Sequence, residues 1–380
     1  DYVFLATNGI SEIIIGDAPL QSANFNAAKQ EAGWDTIKNF YDSKGIPIKL
    51  LDFRSEVTTY SGVSIMKVLK KGRANQNCEH VLISIDKDSL LYRVEDRSPR
   101  FRATCYNPIV MSKHHGKGKH EYCIAKPALE ADLFINLPKL KTHRKAGITC
   151  SLKNLIGINS NKDYLPHHTE GSIIDGGDEY LSPSFLKRVI VWTSNKSNMT
   201  YSINKKRIMN IISAVCGKMS KVFSKDKYFE GSWFGNDTIW RTILDINRIL
   251  FYSDKKGKLS DYKNTKKYLT IVDAVVIGEG EGPLEPSRKF FGYLAAGTNP
   301  VAIDTVMSSM MGFDYLKIPT IKNAYLLSEK PLTNFVPRDI KIFINNNKNL
   351  QLNALPMIKT KPSNGWKGHI ELYNNCNKPL

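Results

Sequence analysis

A chain of 380 residues, 42% hydrophobic and 24% charged, has a globular composition and is long enough to bury a large core, which excludes a disordered or fibrous polypeptide. Its 54 Lys and Arg against 36 Asp and Glu leave a net charge of +18, so anionic partners are expected: phosphorylated or carboxylated small molecules, nucleic acid, or an acidic membrane surface. The six cysteines (Cys78, Cys105, Cys123, Cys150, Cys216, Cys376) are scattered without a CxxC pair, which argues against an iron–sulfur cluster, a structural zinc site or a disulfide framework.

Such cysteines read as reduced cytosolic thiols, and no stretch reaches the roughly 18 apolar residues of a membrane span. No signal peptide and no repeat of solenoid period are visible, and the expected location is cytoplasmic, with a peripheral membrane position as the alternative. The chain opens on Asp1 rather than Met, so an N-terminal piece could be missing.

Glu12 to Pro19 reads as a short buried strand ending in a Gly-Asp turn, Asn24 to Lys44 as a helix, and Ile46 to Phe53 as a second strand. That order predicts a parallel sheet covered by helices, with ligands beyond the carboxyl ends of its strands. Asp17 stands at such an end; a turn cap is the plainer reading of it. Val81 to Asp86 is a further strand. His114, His115 and His120 could ligate a metal, but the interleaved Gly and Lys favour a solvated loop.

The run from Leu133 to Gly157 carries most of the chemistry. An apolar strand breaks at Pro138 and then delivers Lys139, Lys141, His143, Arg144, Lys145 and Lys153, with no Asp or Glu from Leu133 through Lys162. A helix from about Ile148 to Ile156 would present the free N–H groups of Ile148, Thr149 and Cys150 as an anion site. Surface lysines are the bland alternative, and cations between apolar flanks weigh against it. Asn159 to Tyr180, with His167 and His168, reads as a long functional or mobile loop.

Leu186 to Lys267 holds 18 Lys and Arg against six acids and supplies +12 of the net charge. Ile208, Ile211, Ile212, Val215, Met219, Val222 and Phe223 recur at helical spacing. Such a basic amphipathic helix can lie on an anionic membrane, although packing its apolar side on its own domain is the commoner arrangement. A second helix is expected over Ile239 to Tyr252. Tyr268 to Ile277 is the clearest strand, running into a glycine turn, Gly278 to Pro283, with Glu279 and Glu281. Phe291 to Ala295 and Asp339 to Ile344 are further strands, with an apolar helix holding Asp304 between them, and the tail is expected to be peripheral.

The segment NLPKLKTHRKAGITCSLKNLIG resembles the signature of the uncharacterised bacterial and archaeal family called domain of unknown function 362, an apolar strand followed by K-x-K-T-H and K-N-x-x-G blocks. Val272 to Pro283, Ala296 to Asp304, and Ile15 to Pro19 extend the likeness over about residues 12 to 330. The chain departs from it in lacking the cysteine-rich ferredoxin-like module of some members and in its long basic block. A weaker similarity in layout to nickel-pincer lactate racemases implies, by analogy, a cleft between two lobes.

The expected fold is therefore α/β, a parallel or mixed sheet flanked by helices, with two lobes around a cleft. Core parts at 1–185 and 268–345 flank a basic helical insertion at 186–267, and 346–380 forms a tail. The expected function is an enzyme on a small anionic substrate. Lys141, Arg144, Asn154, Asp17, Gly280 and Gly282 would bind it; His143, Lys153 and His168 would do the chemistry. Glu279, Glu281 and Asp304 could take a divalent metal, although no ligand spacing demands one. The alternative is a non-catalytic protein docking on nucleic acid or an anionic membrane through 186–267.

Overall fold

The computed structural model describes residues 12–61, 68–73, 78–345 and 347–372; Cys376 and the opening segment lie outside them. Strands β1 (Ile13–Asp17) and β2 (Ile48–Asp52) pair in parallel, as expected. Two helices connect them, α1 (Phe25–Glu31) and α2 (Trp34–Asp42), where one was expected, because Gly33 at φ +63° breaks the run. The strand is not buried: Ile14 and Ile15 are exposed, since among the described residues the pair has no third strand.

Strands β3 (Glu56–Ser61) and β4 (Val68–Arg73) form a hairpin, and β5 (His80–Ser84) pairs antiparallel with β6 (Lys119–Ala125). Between β5 and β6 lies α3 (Pro108–His114). The three-histidine stretch is no solvated loop. His115 and His120 are fully buried, with their Nδ1 atoms 3.4 Å apart, and His115 Nε2 donates to the Tyr164 carbonyl at 2.9 Å. Burial pushes their pKa values down to about 3 and about 4, so both enter the interior as neutral rings.

Next come α4 (Lys126–Glu130), β7 (Leu133–Asn136), β8 (Lys139–His143), β9 (Gly147–Thr149) and α5 (Ser151–Asn154). Pro138 separates β7 from β8, where its missing N–H costs no ladder bond. After them follow α6 (Phe185–Met199), α7 (Ile203–Phe223), α8 (Ile239–Tyr252), β10 (Lys267–Glu281), β11 (Glu285–Gly297), α9 (Pro300–Met310) and α10 (Pro319–Tyr325).

The central sheet is mixed and built on β10. Its first residues pair in parallel with β7 (Tyr268 opposite Phe134), and later ones with β8 (Lys141 opposite Gly278). β11 runs antiparallel along the other edge, and β9 folds back on β8. Leu140, Ile148, Val272 and Ile277 from the sheet join Ile243, Leu244 and Ile249 of α8 and Val301 and Met307 of α9 in one continuous core. The fold is α/β.

Several expectations give way here. α8 has its expected limits but belongs to the core, not to a basic insertion, because its apolar residues are almost completely buried. The Gly278–Glu281 segment is no turn but the end of β10; the reversal into β11 comes at 282–284. The 159–180 stretch is largely buried, since its polar side chains replace secondary structure as backbone partners: Asn159 Oδ1 accepts from Cys123 N–H at 3.1 Å, and Asp178 Oδ1 accepts from Thr169 N–H at 2.5 Å. The tail is not peripheral either. Trp366 and Ile370 are buried, and Trp366 Nε1 donates to the Arg144 carbonyl at 2.8 Å. Among the described residues no helix is long and apolar enough to cross a membrane.

Candidate anion site

Side chains of a strand alternate between faces, so β8 sends Leu140 and Thr142 into the core and turns Lys141 and His143 to the opposite face. The following turn is closed by the histidine itself. His143 Nδ1 accepts from the N–H groups of Lys145 and Ala146, each at 3.1 Å. An N–H can only donate, so Nδ1 carries the lone pair and Nε2 the proton. Burial, reinforced by the charges of Lys153 and Lys145, holds the ring well below its ordinary pKa. Protonating Nδ1 would break two hydrogen bonds. His143 is therefore a fixed neutral donor through Nε2, which has no partner among the described residues, and not the acid/base group expected from its type.

The helix after β9 starts later than expected. Ile148 and Thr149 belong to the strand β9 paired with β8, so they do not stand at a helix start as expected. The groups at the start of α5 are occupied by the protein's own anion: Asp304 accepts from Ser151 N–H at 2.6 Å and Leu152 N–H at 3.1 Å. Asp304 is a buried cap, with its carboxyl pushed up to about 7 by that burial. It fixes the short helix that carries Lys153.

Lys153 is where the unneutralised charge collects. Burial, then the charges of Lys162, Lys141 and Lys145, bring its amine down to about 7. Lys162, more deeply buried than Lys153, is lowered to about 8, with its Nζ donating to the carbonyls of Ile156 and Asn159, both at 3.1 Å. Lys145 is likewise tied, to Thr104 Oγ1 at 3.0 Å and the Glu230 carbonyl at 2.5 Å. Lys141 and Lys153 differ from both. Neither amine has a hydrogen-bond or ion-pair partner among the described residues.

Three carboxylates act on this cluster: Glu230 and Glu179 on Lys145, and Asp17 on Lys141 and Lys162. Asp17, at the end of β1, feels Lys162 and acts in turn on Lys141. It is solvent-reachable yet crowded, and the crowding raises its pKa against the pull of Lys162. The join is made by Gly157: Ala18 N–H donates to the Gly157 carbonyl at 2.8 Å, and a Cβ on Gly157 would overlap Asp17 Oδ1. Gly157→Ala should accordingly push the carboxylate out and cost about 1–2 kcal/mol, an overpacking penalty that urea unfolding would read. Unchanged stability would mean that the β1 end moves freely.

Lys141, His143 and Lys153 thus act on one another and Asp17 acts on Lys141, while other expected site residues go elsewhere. Asn154 Nδ2 donates to Asn136 Oδ1 at 2.7 Å, inside a buried network with Tyr268 and Ser151. Arg144 leans toward Glu230, 3.9 Å away. Gly280, at φ +80°, donates its N–H to the Lys361 carbonyl, and Gly282 packs so closely that a Cβ would overlap the Thr142 carbonyl oxygen. These glycines shape the end of β10 instead of cradling a ligand.

Glu279 accepts from Lys361 N–H at 2.9 Å and Glu281 from Asn364 N–H at 2.7 Å, which ties both to the tail. With Asp304 capping α5, the three carboxylates form no common site. Among the described residues no three His, Cys, Asp or Glu side chains group closely enough to hold a metal.

Two site residues lay outside the expectation. His168 faces buried Glu179 at 3.6 Å, whereas its neighbour His167 feels Lys145 and Lys153. His167 Nδ1 donates to the Leu165 carbonyl at 2.6 Å, leaving the Nε2 lone pair as an acceptor. Lys162 was visible only as the end of the acid-free run. For His167 the signal was the alternation of a histidine pair, which cannot by itself say which ring faces the cations.

Residues 100–309, more than half of the chain, match the family model of domain of unknown function (DUF362). The match contains every cation of the cluster and leaves out Asp17. No curated protein and no solved structure matches the chain.

Proposed function

The chain belongs to the family of domain of unknown function (DUF362), and from its own residues we propose that it is an enzyme acting on a small phosphorylated or carboxylated substrate. The observation that supports this reading is the pair of free amines, Lys141 and Lys153, set among like charges, with Asp17 acting on Lys141. Unpaired, partly buried cations cost stability, and an arriving anion would remove that cost. Lys141 and the His143 Nε2–H would bind the anion. Lys153, near neutral in pKa, would hold or move a proton, with the His167 Nε2 lone pair as the acceptor beside it.

Inorganic phosphate and malonate should therefore raise the melting temperature of the wild type at constant ionic strength, while Lys141→Gln should lose most of that response. At a hundred times Kd the stabilisation amounts to about 2.7 kcal/mol. In a panel of phosphate monoesters and carboxylic acids, any turnover should fall by about 10²- to 10⁴-fold in Lys141→Ala, the range for a lost binding or proton-transfer group. An equal anion response in Lys141→Gln would refute the site. A second reading, docking without chemistry through the basic helices, is favoured by one separate observation, the outward apolar face of α7.

A further inference from the structure

Helices α6 and α7 lie against each other as a hairpin, and α7 is turned the unexpected way round. Ser197 Oγ donates to Asn210 Oδ1 at 2.9 Å across the pair, and Ser220 is buried. Asn210, Ser213 and Ser220 follow at three- and seven-residue steps, so the face toward α6 is small and polar. The apolar stripe faces out. Ile208, Ile211, Val215, Met219 and Val222 are all exposed, Val215 at 53% and Val222 at 75%, and Phe223 continues the stripe at 73%.

A soluble helix buries such a stripe against its own domain. Here nothing among the described residues does so, and the margins of the stripe are cationic. Lys205 lies on one side, Lys218 and Lys221 on the other, and none of the three has an acidic partner among the described residues. From residue 181 through 225 the chain has nine Lys and Arg and no Asp or Glu.

Charge and shape together choose the occupant. A second copy of the chain would bring like charges face to face across a symmetric contact. Nucleic acid would need its cations at the centre of the face, where this helix has Ile, Val and Met. An anionic bilayer surface fits both features, because the apolar stripe enters the acyl boundary while marginal lysines reach the phosphate layer. We infer that α7 docks the protein on the surface of an anionic lipid bilayer, lying in its plane with Ile208, Ile211, Val215, Met219 and Val222 inserted.

The test is co-sedimentation of the full chain with vesicles of phosphatidylcholine, alone or with about one third phosphatidylserine. Binding should be about tenfold or more tighter on the anionic vesicles and fall as salt rises. Val215→Asp with Met219→Asp should abolish it, as should the triple change of Lys205, Lys218 and Lys221 to Gln. All five positions are exposed, so circular dichroism should find both variants folded. Equal binding to neutral vesicles, no binding to anionic ones, or tighter binding to a short DNA duplex would each overturn the inference. None of these outcomes bears on Lys141 or Lys153, which lie on other elements.

Discussion

Lys153→Met should make the ligand-free protein more stable, by about 1–3 kcal/mol, and abolish its response to phosphate. The amine has no partner among the described residues, and its neighbours Lys162, Lys141 and Lys145 share its sign. Methionine keeps most of the volume and removes the charge. The pH dependence gives a second readout. The folded-state pKa of Lys153, about 7, lies below its ordinary 10.5, so the unfolded chain binds more protons between these values. Wild-type stability therefore rises with pH across that window, and the variant should lose this part of the rise. Phosphate should act oppositely, stabilising the wild type most below about pH 7, where Lys153 is charged, and less above it. Thermal unfolding near pH 6 and pH 9, with and without phosphate, separates these effects. A variant less stable than wild type that still responds to phosphate would make Lys153 a structural residue.

The sequence carried the polarity pattern of the site further than its geometry. The acid-free run from Leu133 to Lys162 identified the cationic cluster, and the apolar strand before Pro138 placed it beside a sheet. The parallel β1–β2 pair and the limits of α8 were equally readable, because hydrophobic period and glycine breaks are local signals. Partner choice is not local. Nothing in the sequence tells that Asp304, about 150 positions away, would occupy the first N–H groups of α5, or that Glu279 and Glu281 would be used by the tail. The same limit explains α7. Its period gave the helix correctly, but period cannot say whether a stripe faces a core or solvent. Likewise the polar 159–180 segment is buried because its Asn and Asp side chains find backbone donors and acceptors in distant strands.

Asp304→Ala should be among the most damaging single substitutions in the chain, while Asp304→Asn should be mild. The alanine leaves Ser151 N–H and Leu152 N–H buried without an acceptor, each worth about 1–3 kcal/mol, against a total stability of about 5–15 kcal/mol. Asparagine keeps one carbonyl oxygen for them. The pH profile distinguishes the two roles proposed for this carboxyl. Its pKa is raised by burial to about 7 from 3.8, so it contributes stability that is complete below about 4 and lost as pH rises through about 7. Asp304→Asn should flatten that fall in urea unfolding at several pH values. Because α5 carries Lys153, the alanine variant should also lose the phosphate response, and the asparagine variant should keep it. A metal ligand would behave the other way, since Asn is a poorer ligand than carboxylate but fills the same space. An Asp304→Asn protein with wild-type pH dependence but no phosphate response would return Asp304 to the site.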